Sequence, residues 1–495
     1  MNVVARGSKA KLRSGAEYLK SIKDDGRRVL FEGEPVRDVT SHPAFAGAAR
    51  SLARLFDVAA DPTNAGVMTY PSPKTGRPVW RCYQVPKTVE DLAARRRMSA
   101  RWAEETFGLM GRTPDHVAGF LAGYAAKPSV FAELGGKQFA DNVVRYYEHA
   151  RDNSLYLSYA IVPPQIDRSR PAHKQSDPTL YAGVVKERDD GIVLKGAQQL
   201  ATGAAFSDGV FISCIHPLSP GDEAYAFAVA VPSNAPGLKI YCRRPYAANA
   251  TNAFDYPLSS RFDEIDALLV LDDVFVPWEN VFCYRSLALC RDQWWKTPSH
   301  SYGNHQAQVR YCAKLKFLMG LTKRLVEITG VDPMPPVQIM LGEMAAFATI
   351  IEGMVLAQEI EATIDDEGAV WPSKAALYAV MALQGEINPR LNNTLRELAG
   401  GSIIMLPSSV KDFASAETAA DIERYIASPG FSSKERVAIL KLVWDFIGTE
   451  FAGRHEQYEK FYGGASFLVK QNMARAYDFA SATAMVSRAL SLPEE

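Results

Sequence analysis

The sequence predicts an α+β protein in which a helical region is followed by a β region and then by a second helical region. Three observations carry this prediction: helical spacing early in the chain, short apolar runs of β type in the middle, and long 3.6-residue repeats towards the end. The expected domains are an N-terminal helical domain (1–150), a central antiparallel β-barrel or sandwich domain (151–283) and a C-terminal helical bundle (284–495).

The first helical region is clearest from Val89 to Ala150, where alanines recur at helical spacing among charged and aromatic residues. Thr88 precedes this stretch, and Asp91 follows three residues later. In a capping box, two residues at this spacing each accept a hydrogen bond from the other's backbone N–H. A helix is therefore expected to begin after Thr88.

The β region begins at about Leu180, where two apolar runs are joined across Asp190-Gly191. An Asp-Gly step between such runs is a typical signal for a β-hairpin. Further runs rich in valine, isoleucine and phenylalanine follow at short intervals, bounded by glycine, proline and asparagine. These runs are GVFISCI, YAFAVAVP, LKIYC and ALLVLDDVFVP. The pattern predicts an antiparallel β domain.

Helical spacing returns after Tyr284. Four apolar residues fall on one face of the first long helix: Leu318, Leu321, Leu325 and Ile328. Gly330 is expected to end that helix, because glycine adopts the left-handed conformation that often follows a helix. A second helix repeats the pattern with Leu341, Met344, Ala345, Ala348, Ile351 and Val355. Long amphipathic helices joined by short loops predict a helical bundle.

Composition argues against several classes of partner. The chain has 495 residues and a formal net charge of −1, which favours neither a nucleic-acid nor an anionic-membrane partner. The N-terminal stretch MNVVARGSKAKLRSG is basic but lacks the apolar segment of a signal peptide. No apolar run approaches the roughly 20 residues that a membrane helix needs. The cytoplasm is the expected location.

Familiar nucleotide and metal motifs are absent from the sequence. There is no GxGxxG after a strand, no Walker A loop and no HExxH, and the eight histidines include no pair at i, i+4. The six cysteines form no CxxC pair and are expected to be buried, reduced thiols. They are Cys82, Cys214, Cys242, Cys283, Cys290 and Cys312. No metal site is therefore expected, and a flavin would have to bind without a Rossmann domain.

Seven sequence blocks, spread over almost the whole chain, point to one family. The most informative is FDYPLSSRFDEIDALLVLDDVFVPWEN (Phe254–Asn280), in which a charged segment leads into an apolar β-run. The others are SGAEYLKS (Ser14–Ser21), VRDVTSHPAFAGAARSLARLFD (Val36–Asp57), MGRTPDH (Met110–His116), LYLSYAIVPPQIDRS (Leu155–Ser169), KGAQQLATGAAFSD (Lys195–Asp208) and IGTEFAGRHEQYE (Ile447–Glu459). Together they resemble the large, oxygenase component of two-component 4-hydroxyphenylacetate 3-hydroxylases.

This resemblance implies an acyl-CoA dehydrogenase-like fold, a homotetramer, and FAD that arrives as FADH2 from a separate flavin reductase. It also implies an FADH2-dependent aromatic monooxygenase reaction. The C4a-hydroperoxide of the flavin would transfer its distal oxygen to the carbon ortho to the hydroxyl of a phenol, which gives a catechol. The flavin performs the oxygen chemistry, and the protein positions it and keeps the cavity dry.

The same resemblance implies which residues activate the phenol. Arg112 matches an arginine that contacts the phenolic oxygen, where its permanent charge favours phenolate. His116 stands where the family usually has tyrosine, and Tyr159 stands where it usually has histidine. Either the two groups keep their role from exchanged places, or the pocket is rebuilt for another substrate. Without the resemblance, Arg112 would be read as pairing with Asp115 to hold a turn.

Three segments match flavin-contacting positions of the family. Thr202 matches a residue at the flavin ring, and the alternative reading is a plain Thr-Gly turn. A second segment comprises Gln165, Ile166, Asp167 and Arg168, which would otherwise be a polar loop after two prolines. The third comprises Phe451, Ala452, Gly453 and Arg454. Small residues there allow a ligand to approach the backbone, and the alternative is a tight helix contact with Arg454 and Glu450 as surface ions.

Related chlorophenol-type oxygenases carry a catalytic base near the start of the third region. Aligned from Arg310, the position of that base falls on Gln306, and a glutamine cannot act as a base. His305 lies one residue earlier and is the remaining candidate there. The alternative is that His305 is a core or interface histidine.

Two other functional classes stay open. One is a flavoprotein lyase of the 4-hydroxybutyryl-CoA dehydratase type, whose iron–sulfur cluster needs cysteines in the N-terminal helical region. No cysteine lies between Cys82 and Cys214, which argues against it. The other is a non-catalytic flavin-binding protein. The substrate also stays open among 4-hydroxyphenylacetate, tyrosine, a hydroxycinnamate, a simple phenol and a carrier-bound tyrosyl group, as does the preference for FAD or FMN.

Overall fold

The computed structural model describes residues 12–490, and this part of the chain begins with helices. Seven α-helices precede the central sheets: α1 (Gly15–Ile22), α2 (Pro43–Ala60), α3 (Ala65–Met68), α4 (Val89–Glu105), α5 (Pro114–Ala126), α6 (Ser129–Gly135) and α7 (Lys137–Asp152). The predicted helix start after Thr88 is confirmed. The Asp91 N–H donates to Thr88 Oγ1 at 3.1 Å, and the Thr88 N–H donates to Asp91 Oδ2 at 3.0 Å.

The strands of the described residues form two sheets and two short ribbons. They are β1 (Arg28–Phe31), β2 (Glu34–Val36), β3 (Thr69–Pro71), β4 (Pro78–Trp80), β5 (Leu157–Ala160), β6 (Gly183–Arg188), β7 (Gly191–Gln198), β8 (Gly209–Ser213), β9 (Phe227–Pro232), β10 (Leu238–Cys242), β11 (Ala267–Pro277), β12 (Val281–Tyr284), β13 (Thr363–Ile364) and β14 (Val370–Trp371). The larger sheet has the order β2-β1-β10-β11-β7-β6, and the smaller has the order β12-β9-β8-β5. The ribbons pair β3 with β4 and β13 with β14.

The predicted hairpin is present. Arg188 of β6 pairs with Gly191 of β7 in antiparallel register, so Asp189 and Asp190 form its two-residue loop. The pairs β10–β11, β7–β11, β8–β9 and β9–β12 are also antiparallel, as predicted.

Two strand pairs depart from the predicted antiparallel pattern. Strand β1 runs parallel to β10, and β5 runs parallel to β8. Parallel neighbours cannot be joined by a tight hairpin, so they come from distant parts of the chain and leave no local signal. Strands β1 and β2 lie within residues 1–150 yet complete the larger central sheet. The predicted domain boundaries therefore stay a prediction.

The remaining described chain is mainly helical, as predicted. Its helices are α8 (Leu287–Asp292), α9 (Ser299–Thr329), α10 (Pro335–Ile360), α11 (Lys374–Ala399), α12 (Ala419–Tyr425), α13 (Ser433–Ile447), α14 (Glu450–Phe461), α15 (Ser466–Ala476) and α16 (Phe479–Ala489). All four apolar residues predicted to share a face of α9 are buried. Gly330 ends α9 with φ of 72°, in the left-handed region.

Helix α10 is less buried than its pattern predicted. Of the six predicted positions, three are buried (Met344, Ile351 and Val355), two are half-buried (Leu341 and Ala348) and one is exposed (Ala345). Within the described residues, α10 is also the one helix long and apolar enough to cross a membrane by length and composition alone. The expectation that no segment meets this test is wrong. Gln338, Glu343 and Glu352 interrupt the apolar run, which hid it from a search for continuous apolar residues.

A large apolar core extends through all three regions, from Tyr18 of α1 to Phe451 of α14. Helix α13 also fixes the loop that leads into β11. Asp445 Oδ2 accepts hydrogen bonds from the backbone N–H groups of Leu258 and Ser259 at 2.8 and 2.9 Å. This buried anchor orients the residues that follow, which carry the acidic groups of the candidate site.

Candidate active site

Arg112 lies in the loop between α4 and α5 and is 9 % exposed. Its Nη1 donates to Tyr458 Oη on α14 at 2.7 Å, and its backbone N–H donates to Glu264 Oε1. The guanidinium carbon lies 5.4 Å from the ring centre of Tyr159 and 5.1 Å from that of Tyr458. The alternative pairing with Asp115 is wrong, because Asp115 instead accepts from other groups. Arg112 is thus a buried cation held between two phenol rings.

His116 lies in the first turn of α5, where Pro114 begins the helix. Its ring centre is 5.4 Å from that of Tyr159 and 5.2 Å from that of Phe120. Nδ1 is 3.0 Å from Gln306 Oε1, whereas Nε2 is buried without a hydrogen-bond partner. Burial, and next the charge of Arg112, lowers the pKa of His116 well below its usual value. The imidazole is therefore neutral at physiological pH.

Tyr159 occupies β5 and is half-buried. Its ring touches the imidazole of His116 on one side and lies under the guanidinium of Arg112. The three residues predicted to activate a phenol come from separate sequence blocks, and the fold brings them into one cluster. Their catalytic roles stay a prediction.

Thr202 belongs to a buried ionic network next to this cluster. Its Oγ1 donates to Asp266 Oδ1 at 2.7 Å. Arg454 donates to both oxygens of Asp266 at 2.8 and 3.0 Å, and to Glu264 Oε2 at 3.0 Å. Burial raises the pKa of Asp266, but the charges of Arg454 and Arg243 outweigh burial and hold that pKa far below its usual value. The reading of Arg454 as a surface ion is therefore wrong.

The segment from Phe451 to Arg454 forms the first turn of α14. Thr449 caps it, with Oγ1 accepting from the Ala452 N–H at 3.3 Å. Phe451 is buried against His455, with ring centres 4.3 Å apart. Gly453 is exposed, and a Cβ built there would meet no atom within 4 Å. Packing between helices does not require a glycine at 453, so the alternative of a tight helix contact fails at this residue.

Residues 165–168 lie on an exposed loop after β5. Ile166 is 53 % exposed, and Asp167 accepts from the Ser169 N–H within its own turn at 3.0 Å. Val162, three residues before Gln165, bridges to Gln199, three residues before Thr202. The loop therefore begins close to Thr202. Its contact with flavin stays a prediction.

Gln306, unlike His305, faces the cluster. Its Oε1 contacts His116, and its Nε2 donates to Asp115 Oδ1 at 3.1 Å. His305 Nε2 lies instead 3.3 Å from Glu359 Oε1 on α10. Successive helical residues point in different directions, so the two side chains cannot share a site. His305 is therefore a buried histidine between helices, and the candidate base at this position is wrong.

The fold also recruits residues that the sequence reading did not single out. Tyr458 and Glu264 hold Arg112, while Asp266 joins Thr202 to Arg454. The available signals were weak: Tyr458 lies four residues after Arg454, and both carboxylates lie in the segment FDEID before β11.

An open cleft of about 610 Å³ lies apart from this cluster. It is lined by α2 and by residues 247–262, and includes Arg50, Arg54 and Arg261 but none of the predicted site residues. In the described part of the chain, no group of three or more His, Cys, Asp or Glu side chains is placed to hold a metal ion.

Thr202 donates its hydroxyl proton to Asp266, so its oxygen can still accept a hydrogen bond from a ligand. Gly453 has open space where a side chain would be, so a ligand can approach its backbone. Thr202, Gly453 and Arg454 would be the residues that hold a flavin, and this role stays a prediction.

Both parts of the chain match family models. The model for the N-terminal part of 4-hydroxyphenylacetate 3-hydroxylase matches residues 14–283, and the model for its C-terminal part matches residues 290–491.

Curated relatives match over nearly their whole length. The chain is 36% identical over 471 residues to the oxygenase component of 4-nitrophenol 2-monooxygenase from Rhodococcus sp., covering 94% of this chain and 88% of the relative. It is 36% identical over 479 residues to the oxygenase component of 4-hydroxyphenylacetate 3-monooxygenase from Pseudomonas aeruginosa, covering 95% and 90%. A third relative, from Streptomyces globisporus, is 36% identical over 456 residues and acts on a 3-chloro-4-hydroxyphenyl substrate attached to a peptidyl carrier protein.

Solved structures agree with the sequence matches. The oxygenase component of 4-hydroxyphenylacetate 3-monooxygenase, complexed with FAD and 4-hydroxyphenylacetate, superimposes with a TM-score of 0.91 at 33% identity, covering 97% of this chain and 98% of that chain. A 4-hydroxybutyryl-CoA dehydratase from N. maritimus superimposes with a TM-score of 0.89 at 19% identity, which shows a shared fold alone. The predicted fold class is confirmed. Since both family models and relatives above 30% identity cover most of the chain, the protein belongs to the 4-hydroxyphenylacetate 3-hydroxylase family.

Proposed function

We propose that this protein is the oxygenase component of a two-component, FADH2-dependent aromatic monooxygenase, and that it hydroxylates a phenol ortho to its hydroxyl group. Relatives over 94% and 95% of the chain are oxygenase components of such enzymes. The observation that carries the proposal is the cluster of Arg112, His116 and Tyr159, which Glu264 joins to Arg454.

In this cluster each residue type has a distinct task. Arg112 provides a permanent positive charge that stabilises phenolate, and Tyr159 and His116 provide hydrogen-bonding groups on the same side. Thr202, Gly453 and Arg454 would hold the flavin, which supplies activated oxygen when bound in its reduced form. Burial of the cluster keeps water from the reacting atoms.

A para-substituted phenol is the substrate class that we propose. The printed names of the relatives describe 4-nitrophenol, 4-hydroxyphenylacetate and a carrier-bound 4-hydroxyphenyl group as their substrates. All are phenols with a para substituent, and the ortho carbon is the free position next to the hydroxyl. The His116 and Tyr159 arrangement would select among such phenols.

Supply of reduced FAD by a separate flavin reductase follows from the two-component relatives. We also propose the homotetramer and the cytoplasmic location that the sequence predicts. Helix α10 packs on α9 and α11 but leaves Ile339 and Ile360 73 % and 79 % exposed, which is apolar surface suited to an interface between copies. Light scattering of the purified chain tests the assembly, and a monomer at micromolar concentration contradicts it.

The test of the function uses the purified chain, FAD, a flavin reductase with NADH, dioxygen and a panel of para-substituted phenols, some free and some on a carrier protein. Mass spectrometry should find the catechol of at least one phenol, with one atom of ¹⁸O incorporated from ¹⁸O₂. A heat-inactivated sample and a reaction without phenol provide the controls. If all consumed oxygen appears as hydrogen peroxide with every phenol, the proposed function is wrong.

A further inference from the structure

Resting on the proposed function, we propose that Gln306 is a positioning residue, which holds His116 in the tautomer whose Nε2 accepts a hydrogen bond from the phenolic O–H. The proposal rests on a hydrogen-bond network that runs from Asp115 through Gln306 to His116.

The three residues of this hydrogen-bond network, Asp115, Gln306 and His116, are buried. Gln306 Nε2 donates to Asp115 Oδ1 at 3.1 Å, and Gln306 Oε1 lies 3.0 Å from His116 Nδ1. The exposed fractions of Asp115, His116 and Gln306 are 2 %, 3 % and 4 %. Bulk water therefore does not compete for these hydrogen bonds. The neighbouring side chains alone determine which atom donates and which accepts.

The direction of each hydrogen bond in this network follows from the groups around Asp115. Thr113 Oγ1 donates its proton to Asp115 Oδ1 at 2.6 Å, so both oxygens are acceptors towards Gln306. The amide end of Gln306 that faces them lies 3.4 Å from Thr113 Oγ1 and 3.1 Å from Asp115 Oδ1. The amide nitrogen of Gln306 must then face Asp115, so its carbonyl oxygen faces His116. A carbonyl only accepts, and Nδ1 of His116 therefore carries the ring proton.

In a neutral imidazole, a proton on Nδ1 leaves a lone pair on Nε2. Nε2 of His116 is buried and has no hydrogen-bond partner among the described residues. A buried polar atom without a partner is unfavourable, and a phenolic O–H would supply the missing donor. The rings of His116 and Tyr159 are in contact, and the guanidinium of Arg112 lies over that same Tyr159 ring. A phenol beside Tyr159 thus has a hydrogen-bond acceptor and a cation within reach.

Charged and titratable groups face the ring from several elements. Arg112 lies in the loop before α5, Arg310 on α9 and Tyr159 on β5, while Asp115 lies on its own helix. Burial and the two arginines oppose a positive charge on His116. The ring therefore stays neutral over a wide range of pH, and its free nitrogen acts as a hydrogen-bond acceptor.

The tautomer can be measured without turnover. In protein labelled with ¹³C,¹⁵N-histidine, solid-state correlation spectra show whether the protonated ring nitrogen is bonded to Cγ, which identifies Nδ1–H. Subtraction of the His116→Gln spectrum assigns the signal. We expect Nδ1–H in the wild type and a mixture of tautomers in Gln306→Leu. A wild-type His116 protonated at Nε2 overturns the proposal, even if the enzyme hydroxylates phenols normally.

Kinetics provide the second measurement, the yield of catechol per oxygen consumed as a function of pH. Gln306→Leu should lower this yield roughly 10-fold, about the cost of one hydrogen bond to the phenol in the transition state. Gln306→Glu keeps an acceptor for Nδ1–H, with a proton shared with Asp115 in place of the lost N–H donor, and should retain more yield than Gln306→Leu. The added carboxyl group raises the pKa of His116, so as pH is lowered the yield should begin to fall at a higher pH than in the wild type. Wild-type yield and pH profile in both variants contradict the proposal.

Gln308 provides the matched control on the same helix. It is fully buried, and its Nε2 donates to the Leu377 carbonyl at 2.9 Å, away from the cluster. Gln308→Leu should lower stability without moving the pH profile of the catechol yield. If Gln306→Leu fails to fold, the near-isosteric Gln306→Glu still decides the matter. The absence of catechol in the wild type with every phenol would count against the proposed function, whereas the tautomer measurement stands independently of it.

Discussion

Nη1 of Arg112 donates a hydrogen bond to Oη of Tyr458 at 2.7 Å, and this contact joins the loop that holds the candidate phenol site to the helix that begins with the candidate flavin segment. The Tyr458 ring also lies within 5.1 Å of the guanidinium carbons of Arg112, Arg310 and Arg454. One aromatic side chain therefore contacts three cations, one from the loop before α5, one from α9 and one from α14. Its hydroxyl orients Arg112.

Replacing Tyr458 with phenylalanine should remove that orientation while it keeps the ring. A hydrogen bond to a charged group contributes about 1.5–3 kcal/mol, so hydroxylation should fall roughly 10- to 100-fold. Reduced FAD should still bind and consume oxygen, which shifts the product from catechol to hydrogen peroxide. The measurement is the ratio of catechol to peroxide. An unchanged ratio would show that Tyr458 is only a packing residue.

Arg112→Ala should remove the permanent charge at the phenolic oxygen. Hydroxylation should fall by roughly 100- to 1,000-fold, the cost of deleting a donor aimed at developing negative charge. Arg112→Lys keeps the charge but loses the planar fork, so its activity should lie between the two. Peroxide should rise in both variants because oxygen consumption continues. If Arg112→Ala forms as much catechol per oxygen consumed as the wild type, this residue lies outside the reaction site.

The contact between His116 and Tyr159 allows a test of their exchange. Each of His116→Phe and Tyr159→Phe should reduce hydroxylation by roughly 10- to 1,000-fold if the deleted group bonds the phenol in the transition state. The double variant His116→Tyr, Tyr159→His should retain more activity than either single variant, because neighbouring residues that share a role are not additive. If the fold-loss of the double variant equals the two single fold-losses multiplied together, the two residues act independently.

Gly453 offers a direct test of flavin binding. A side chain there meets no protein atom, so Gly453→Leu should fold normally. If the flavin lies against this backbone, the leucine should block it and weaken binding of reduced FAD by roughly 10-fold or more, or about 1.4 kcal/mol. Gly320→Leu is the control, since that exposed glycine of α9 also has open space. Equal FAD affinity in both variants would move the flavin site elsewhere.

The buried ion pairs of Glu459 predict that the stability of the folded protein depends on pH. It accepts from Arg310 and Lys314 at 2.5–2.9 Å. Burial raises the pKa of Glu459, but those charges outweigh it and lower the pKa to about 2. A folded-state pKa below the unfolded value means that stability is present above about pH 4.3 and is lost as pH falls towards 2. Glu459→Gln leaves two buried cations unpaired.

That variant should lose about 3–5 kcal/mol of unfolding free energy at neutral pH. It should also show a flatter decline of stability between pH 4.5 and 2 than the wild type. Chemical denaturation at several pH values measures both effects. A parallel decline in the two proteins would contradict the assignment of this carboxylate as the acid-labile group.

The sequence could predict the elements with strong local patterns. The capping box at Thr88, the end of α9 at Gly330 and the hairpin from β6 to β7 depend on residues close in the chain. The parallel pairing of β1 with β10 depends on segments about two hundred residues apart, and no local periodicity encodes it. Whether Ala345 is exposed likewise depends on which elements pack against α10. The spacing of apolar residues in the sequence does not contain that information.

The candidate site shows the same division. The resemblance implied that Arg112, His116 and Tyr159 act on one phenol, and the fold brings these three side chains into contact. The residues that orient them were missed, because Glu264, Gln306 and Tyr458 approach from three other segments. Their roles come from hydrogen-bond geometry, which sequence spacing does not contain. The prediction for His305 failed because neighbouring residues of a helix point in different directions. Its side chain faces Glu359 of α10, whereas that of Gln306 faces the cluster.

Glu264 anchors the loop of Arg112 through the backbone N–H of that residue, not through its side chain. Every amino acid except proline has this N–H, so the path of the loop does not depend on the arginine itself. A substitution at position 112 should therefore change the charge next to Tyr159 without changing the path of the loop. New side chains there can be screened with phenols of different charge, because a loss of hydroxylation would then report on the side chain and not on a misplaced loop.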